Sequence, residues 1–549
     1  MPSAPTKQEA LILPLDLDWC YQLPPGCFPH PPPLVFDLPK ELAKLHRAVS
    51  SNHFGGTPLL RILSWYQRPT ATRPHNIQIL DNDSLLNVFH LCRPALLDVD
   101  EADDDRILEG GEWVRERWWY KLVQVCRKWR YIILGSPSYL GLCLVCTYGT
   151  PIAFMLEHSP CLPLIIDHVD EDHDITVKDE EGIILALQHR DRVRRIRLQM
   201  SVPSLQRLIM SMDGEFPRLE YLYIAPPAKH HGSLTLPKTF YAPNLRHLIL
   251  VNFDFPIGSP LITTAVGLVT LSLQNIHPSA YFSPNNLLQR LSHMPQLETL
   301  GITFHSPVPN RDVEMELLDA PIITRVTLPN LRWFGFKGAS AYLEALLPGI
   351  TTPLLEKLQI LYFNQLTFSA TYLLEFMRSI ENFRFSSAKF EFYDGGVAVG
   401  VYPCEGAKMY AFYMHVGCRH LDWQVACVAQ IFNALSPVFS AVEHLKLEYE
   451  EHSLSLKAHN EVDPTQWHKL LRSFNNVVTL RVSDGLVPEL SRSLKLDDEK
   501  PLGLAPELKE LECSAGGDTG NEFSSFIEDF RPPRSPDPSS NSHRSTVVM

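Results

Sequence analysis

Reduced to apolar and polar positions, much of the chain repeats one short unit, apolar-x-x-apolar-x-apolar. It stands at Val193-Arg-Arg-Ile196-Arg-Leu198 and at Leu219-Glu-Tyr-Leu222-Tyr-Ile224. Further copies begin at Leu245, Leu268, Leu297, Leu331 and Leu355, and again at Val442, Val477 and Leu508. Such alternation predicts short strands with one apolar face. The first seven starts lie 26, 26, 23, 29, 34 and 24 residues apart. A proline stands two residues before the first apolar position in six units: Pro217, Pro243, Pro295, Pro329, Pro353 and Pro506. Each is expected to stop the preceding helix where no N–H is needed. Leu205-Leu208-Ile209-Met212 and Trp467-Leu470-Leu471-Phe474 have helical spacing and supply the return segments. The predicted fold class is α/β, with parallel short strands added one after another.

The pattern changes in front of the array and within it. Asp81, Asn82 or Asp83 can cap a helix whose apolar positions are Leu85, Leu86, Val88, Phe89 and Leu91. In WWYKLVQVCRKWRYIILGSP, the residues Trp118, Leu122, Val125, Cys126, Trp129 and Ile133 fall on one face of a single helix, which Gly135-Ser136-Pro137 should stop. Between Leu361 and Ala441 the period fails. There Lys389–Phe392 reads as one more repeat strand, Asp394-Gly395-Gly396 as a hairpin turn, and Trp423, Val428, Ile431, Phe432 and Leu435 as a helix.

These patterns divide the chain into a Pro-rich region, 1–75, a helical region, 76–139, a repeat region, 140–516, with a hairpin insertion near 388–418, and a low-complexity tail, 517–549. The first and last are expected to be largely disordered, apart from a short helix at Leu38–Val49. Asp98–Glu112 carries eight acids in fifteen residues and reads as a solvated loop.

Composition narrows the function. A net charge of −13 argues against a nucleic-acid footprint over the whole protein. The eleven cysteines are scattered without framework spacing, which suggests free thiols in a reducing compartment. No signal peptide or membrane span is apparent, so the cytosol or nucleus is expected.

The array resembles irregular leucine-rich repeats, whose period is 20–29 residues. The family's asparagine ladder is largely missing, and Asn252 and Asn275 fall one place early. The pair ILDNDSLLNVF and WWYKLVQVCRKWRYIILGSP resembles an F-box in the style of many fungal F-box proteins, with Asp81 where those have proline. That resemblance implies a small helical F-box followed by a leucine-rich-repeat solenoid. It further implies a substrate-recognition subunit of an SCF (cullin-based) ubiquitin ligase, binding a Skp-type adaptor and, through it, the cullin scaffold. The adaptor contacts would be Leu80, Leu85, Leu86, Val88, Phe89, Leu122, Val125, Cys126 and Trp129, with Leu85, Leu86 and Phe89 as exposed anchors. An unidentified protein target would lie on the alternate strand residues, including Arg197, Tyr223, Ile249, Ser272, Trp333, Gln359 and Lys446. Neither nucleic acid nor membrane is expected as a partner. A repeat scaffold without a ligase is the alternative reading.

Enzyme signatures are sparse. There is no Walker-type loop, GxGxxG or HExxH, and no catalytic residue or cofactor is assigned. Cys143 and Cys146 belong on opposite faces of a strand. His415, Cys418 and His420, with Cys404 and Cys427, form the best metal candidate, but their spacing matches no usual zinc site. They leave a metal-dependent enzyme as a third reading.

Overall fold

The computed structural model describes residues 80–93, 117–169, 175–227, 234–254, 257–305, 324–365, 367–393, 395–449, 462–487, 489–490, 507–514 and 545–548. The expected Leu38–Val49 helix, the Pro-rich region and the acidic loop lie outside them. The chain divides into two compact units, 1–163 and 164–549.

The first unit holds α1 (Asn82–Leu91), α2 (Trp118–Leu122), α3 (Arg127–Gly135), α4 (Pro137–Leu140), β1 (Leu144–Cys146) and α5 (Ile152–His158). Asp81 caps α1 by accepting from the Ser84 N–H at 2.7 Å. The single helix expected over Trp118–Ile133 is two helices. Cys126 is extended at φ −160°, ψ 167°, and the break is held by the Arg130 side chain, whose Nε donates to the Val123 carbonyl at 3.0 Å. Within α2, Trp119 rather than Trp118 is the buried tryptophan.

The second unit is built on one long sheet. Its strands are β2 (Leu164–Val169), β3 (Val193–Gln199), β4 (Tyr221–Ala225), β5 (His247–Val251), β6 (Thr270–Ile276) and β7 (Thr299–Phe304), with a separate short pair formed by β8 (Val326–Thr327) and β10 (Ile350–Thr351). The sheet continues through β9 (Trp333–Gly338), β11 (Lys357–Tyr362), β12 (Ser387–Tyr393), β13 (Gly396–Tyr402), β14 (Phe412–Val416), β15 (His444–Tyr449), β16 (Thr479–Ser483) and β17 (Glu510–Ser514). All ten strands expected from the repeat unit form. Those from β3 to β11, β8 and β10 aside, pair in parallel in chain order, as do β15, β16 and β17. Leu222, Leu248, Leu271, Leu300 and Phe334 face one another in register, and none is accessible to water.

The repeated proline has a different role from helix stopping. In Phe216-Pro217-Arg-Leu219, the Leu219 N–H donates to the Phe216 carbonyl, so proline holds the second position of a β-turn, where its fixed φ fits. The same bond closes at Leu245, Leu297, Leu331 and Leu355, and also at Leu268, Val442 and Val477, where no proline is present. The next residue then clamps the following repeat: the Glu220 carbonyl accepts from the N–H groups of both Arg246 and His247, and the Glu298 carbonyl from Arg332 and Trp333. In two Pro-Asn-Leu units, asparagine adds a side-chain rung. Asn244 donates to the Pro217 carbonyl at 2.7 Å, and Asn330 to the Pro295 carbonyl at 3.2 Å. Asn252 and Asn275 serve otherwise, adopting φ of 57° and 54° at strand ends, a conformation asparagine tolerates.

The irregular section keeps the expected hairpin but places it elsewhere. The sheet order is β11-β14-β13-β12-β15. The hairpin strands β13 and β14 therefore separate β12 from the repeat that precedes it in sequence. Only β13 runs against its neighbours, so β14 is parallel to β11 and β12 to β15. The chain must then travel from β14 across two strands to reach β15. Three strand spacings of about 4.8 Å make roughly 14 Å, and the 19-residue helix α6 (Leu421–Phe439) lies over β12, β13 and β14. Trp423, expected on its apolar face, is exposed, whereas Val428, Ile431, Phe432 and Leu435 are buried. Within the tail, Ser545–Val548 form β18, antiparallel to β17, in a segment expected to be unstructured.

Helices cover the apolar face of the sheet. Several start at proline in the first turn: α7 (Val202–Met210), α8 (Pro260–Thr264), α9 (Pro284–Leu291) and α10 (Pro464–Arg472). Two others, α11 (Ser340–Leu346) and α12 (Thr371–Arg378), are joined by a buried carboxylate. Glu344 accepts from the N–H groups of Tyr372 and Leu373, both at 2.9 Å, which satisfies the free amides at the start of α12.

Two substitutions test this architecture in denaturant melts of the full chain. Leu248→Ala should cost about 2–5 kcal/mol, because a closed core cannot refill the space. Glu344→Leu should cost about 1–3 kcal/mol by leaving two helix-start amides, one of them buried, without their carboxylate. A loss below 0.5 kcal/mol in either would contradict the packing described.

Candidate functional site

Two surfaces present chemistry, one in each unit. In the helical unit, α1 and α3 pack through Phe89 and Trp129, whose ring centroids are 4.9 Å apart in an edge-on arrangement. Lys128 Nζ ties α3 to the start of α1 through the Leu80 carbonyl at 2.8 Å. Leu85 is 0% and Phe89 1% exposed. The expectation that they are exposed anchors is therefore corrected: both belong to the core of the unit, as does most of Trp129. Of the other expected contacts, Leu80, Leu86, Val88, Leu122 and Cys126 are partly exposed. Val125 is 50% exposed, and Leu91, one turn past Val88, is 53% exposed. Helical periodicity marked these positions as apolar without distinguishing inward from outward ones, because which of them face inward is set by the packing of α1 against α3.

In the second unit, the strand face opposite the helices is open. Tyr223, Ile249, Trp333, Gln359 and Lys446 are half-exposed on it, as expected. Arg197 is a correction. It is 4% exposed and pairs with Asp167 of β2 at 3.3 Å. Ser272 is also buried, since it lies beside Gly301 and the Trp333 ring.

The open face changes character along the sheet. Toward β3, the Arg195 guanidinium lies over the Tyr221 ring at 4.4 Å, and the Tyr223 hydroxyl donates to Gln199 at 3.1 Å. Toward β16, the charges neutralise one another. Lys389 pairs with Glu391 and Glu448, Lys446 with Glu448, and Arg481 with Glu512 and Glu405. Between them, β7 and β9 carry Gly301 and Gly335. The Trp333 indole lies flat across both, so close that a Cβ at Gly335 would overlap it. Alternation identified these outward positions, but the ion-pair network across strands depends on a register that the sequence does not display.

The metal candidate does not assemble. Among the described residues, no group of three or more His, Cys, Asp or Glu is placed to hold a metal ion. Cys418 and Cys427 do meet: their thiols share a hydrogen bond, which, together with burial, pushes the Cys418 thiol up, and which holds Cys427 below its ordinary value against the opposing effect of burial. Cys143 and Cys146 are both buried, and neither forms a disulfide. Among the described residues, no helix is long and apolar enough to cross a membrane.

No family model matches the chain, and no curated protein matches it. Among solved structures, it is similar to the TLR13–ssRNA13 complex at 13% identity and a TM-score of 0.29, over 70% of this chain and 47% of that one. It thus spans about half the length of that protein. It is also similar to the leucine-rich repeat-containing protein LegL7 from Legionella pneumophila, at 13% identity and a TM-score of 0.19, over 52% of this chain and 90% of that one.

The helical unit generates its own test. Leu85→Asp should unfold it, since a buried carboxylate there has no partner and costs several kcal/mol. Val125→Asp should leave the melting temperature within about 2 °C, as expected for an exposed site. Differential scanning calorimetry of the full chain distinguishes the two; equal effects would contradict the burial assigned here.

Proposed function

We propose that the chain is an interaction protein of the leucine-rich-repeat kind, acting as a substrate-recognition subunit of an SCF ubiquitin ligase. In this reading the helical unit docks a Skp-type adaptor, and through it the cullin scaffold, while the open strand face holds a protein target. The chain performs no chemistry itself. Holding the target raises its effective concentration near the transferring subunits.

The observation that carries the reading is the helical unit's division of labour. Leu85, Phe89 and Trp129 close its core, yet Leu91 and Val125 remain half in water. Leu91, at the end of α1, and Val125, in the turn between α2 and α3, offer apolar anchors to a partner groove, with polar residues at the rim. Leu86, Val88 and Leu122, partly exposed, are suited to the edge of the same contact.

The test uses the full chain. Co-expressed with a Skp-type adaptor, it should co-purify through size exclusion. Val125→Asp and Leu91→Asp should each weaken the complex at least about tenfold, because desolvated anchors carry most of such an affinity. Calorimetric melting should be unchanged in both. A folded chain that fails to bind the adaptor defeats the ligase assignment and leaves a repeat scaffold with its own ligand.

A further inference from the structure

The geometry points to a carboxylate-recognition site on the open face, formed by Lys337, His415 and the Trp333 platform, that takes an acidic, aromatic-containing peptide segment of a protein target. This inference rests on the reading of that face as the target surface, and not on adaptor docking.

Three residues define the place. Lys337 of β9 and His415 of β14 both stand opposite Leu361 of β11. They flank one outward-facing leucine, two strand spacings or about 10 Å apart. A lysine side chain can close most of that gap. Leu361 is half-exposed, so the floor between them is apolar. Trp333 lies four residues before Lys337 on the same face, flat against Gly335 and Gly301. Gln359 lies one alternate position from Leu361, in register with Gly335.

Charge decides what fits. The other cations near the middle and far end of this face are engaged. Lys357 lies over the Tyr410 ring at 4.3 Å, and Lys389, Lys446 and Arg481 have carboxylate partners. Lys337 has none among the described residues, although it is half-buried, and burial lowers its pKa. Burial likewise lowers the pKa of His415, and the neighbouring Lys337 lowers it further. The groups facing His415 are Lys337, the Tyr393 ring stacked at 5.9 Å, and Gly396 against its Nε2. Glu391 stands two strands away across Ala398 and is held by Lys389. The site is thus a half-buried single positive charge in a protein of net charge −13. One carboxylate matches one ammonium, whereas a phosphate dianion would be left under-neutralised. A flat indole next to it favours an aromatic or apolar neighbour on the same peptide.

The probe is a fluorescein-labelled pentapeptide, four glutamates around a central phenylalanine, titrated into the full chain and read by anisotropy. It should bind saturably, with the all-glutamine analogue at least about tenfold weaker, since a neutral amide removes the charge-assisted hydrogen bond. Lys337→Met, which keeps the aliphatic stem, should lose the same factor without a change in circular dichroism or melting. An anion stabilises the protonated imidazole, so affinity should strengthen as pH falls from 7.5 toward 6, where glutamates remain ionised. His415→Gln should remove that slope. Absence of saturable binding, equal affinity for the glutamine peptide, or an unaffected Lys337→Met overturns the site. Tighter binding of a phosphoserine-bearing analogue overturns the assignment to a carboxylate. Adaptor-binding variants at Val125 should leave every value unchanged, so failure of the ligase reading is separately visible.

Discussion

The structure of the second unit depends on one backbone device, a carbonyl that accepts two consecutive N–H groups from the next repeat. Arg246 and His247 meet the Glu220 carbonyl in this way, and Glu356 and Lys357 meet that of Arg332. The clamp sets each strand beside its predecessor in parallel and in register. Register fixes which side chains face inward, because a one-residue slip would exchange the two faces. The buried leucine row, the helix layer and the open face all follow from it. Where a proline turn precedes the clamp, it lowers the entropy of the unfolded chain at that point.

The two units solve burial differently. In the array, each repeat buries its apolar face against its neighbours, and the sheet can lengthen without a central core. The helical unit is small and must close on itself, which it does through Phe89, Trp129 and Trp119. Its remaining apolar residues have nowhere inside to go. The proposed division of tasks, docking at one end and recognition along the other, rests on this contrast between a closed core with leftover apolar groups and an open face with mixed chemistry.

Much of the array was legible in the sequence because its signal has period two and recurs at ten places. Leu248 could be assigned to the core from its position in the unit alone. Arg197 could not be, since its burial depends on Asp167 arriving from another strand. Pro217 was visible, but its role as a turn residue required knowing where Phe216 points its carbonyl. The helical region misled for a different reason. The stripe from Trp118 to Ile133 fits one helix, and no glycine or proline marks the break at Cys126. The break is stabilised by Arg130 reaching back to Val123, a tertiary choice that local propensity does not encode. Likewise, Lys337 and His415 lie 78 positions apart in the chain, and only the inserted β14 brings them to opposite sides of Leu361.

That insertion has a consequence for how the chain folds. In a plain array each strand docks on the one just made, so order spreads from any nucleus in either direction. Here β12 is synthesised next after β11 yet lands three places away, and its immediate neighbours, β13 and β15, both come later in the chain. Propagation from the N-terminal repeats must therefore pause at β11. The strands beyond it carry their own seed: Phe390, Phe432, Phe439 and Phe474 form one aromatic cluster with centroids 4.9–6.3 Å apart, drawn from β12, α6 and the segment after α10. By this topology the long repeat sheet should fold as two blocks that join at the β11–β14 seam.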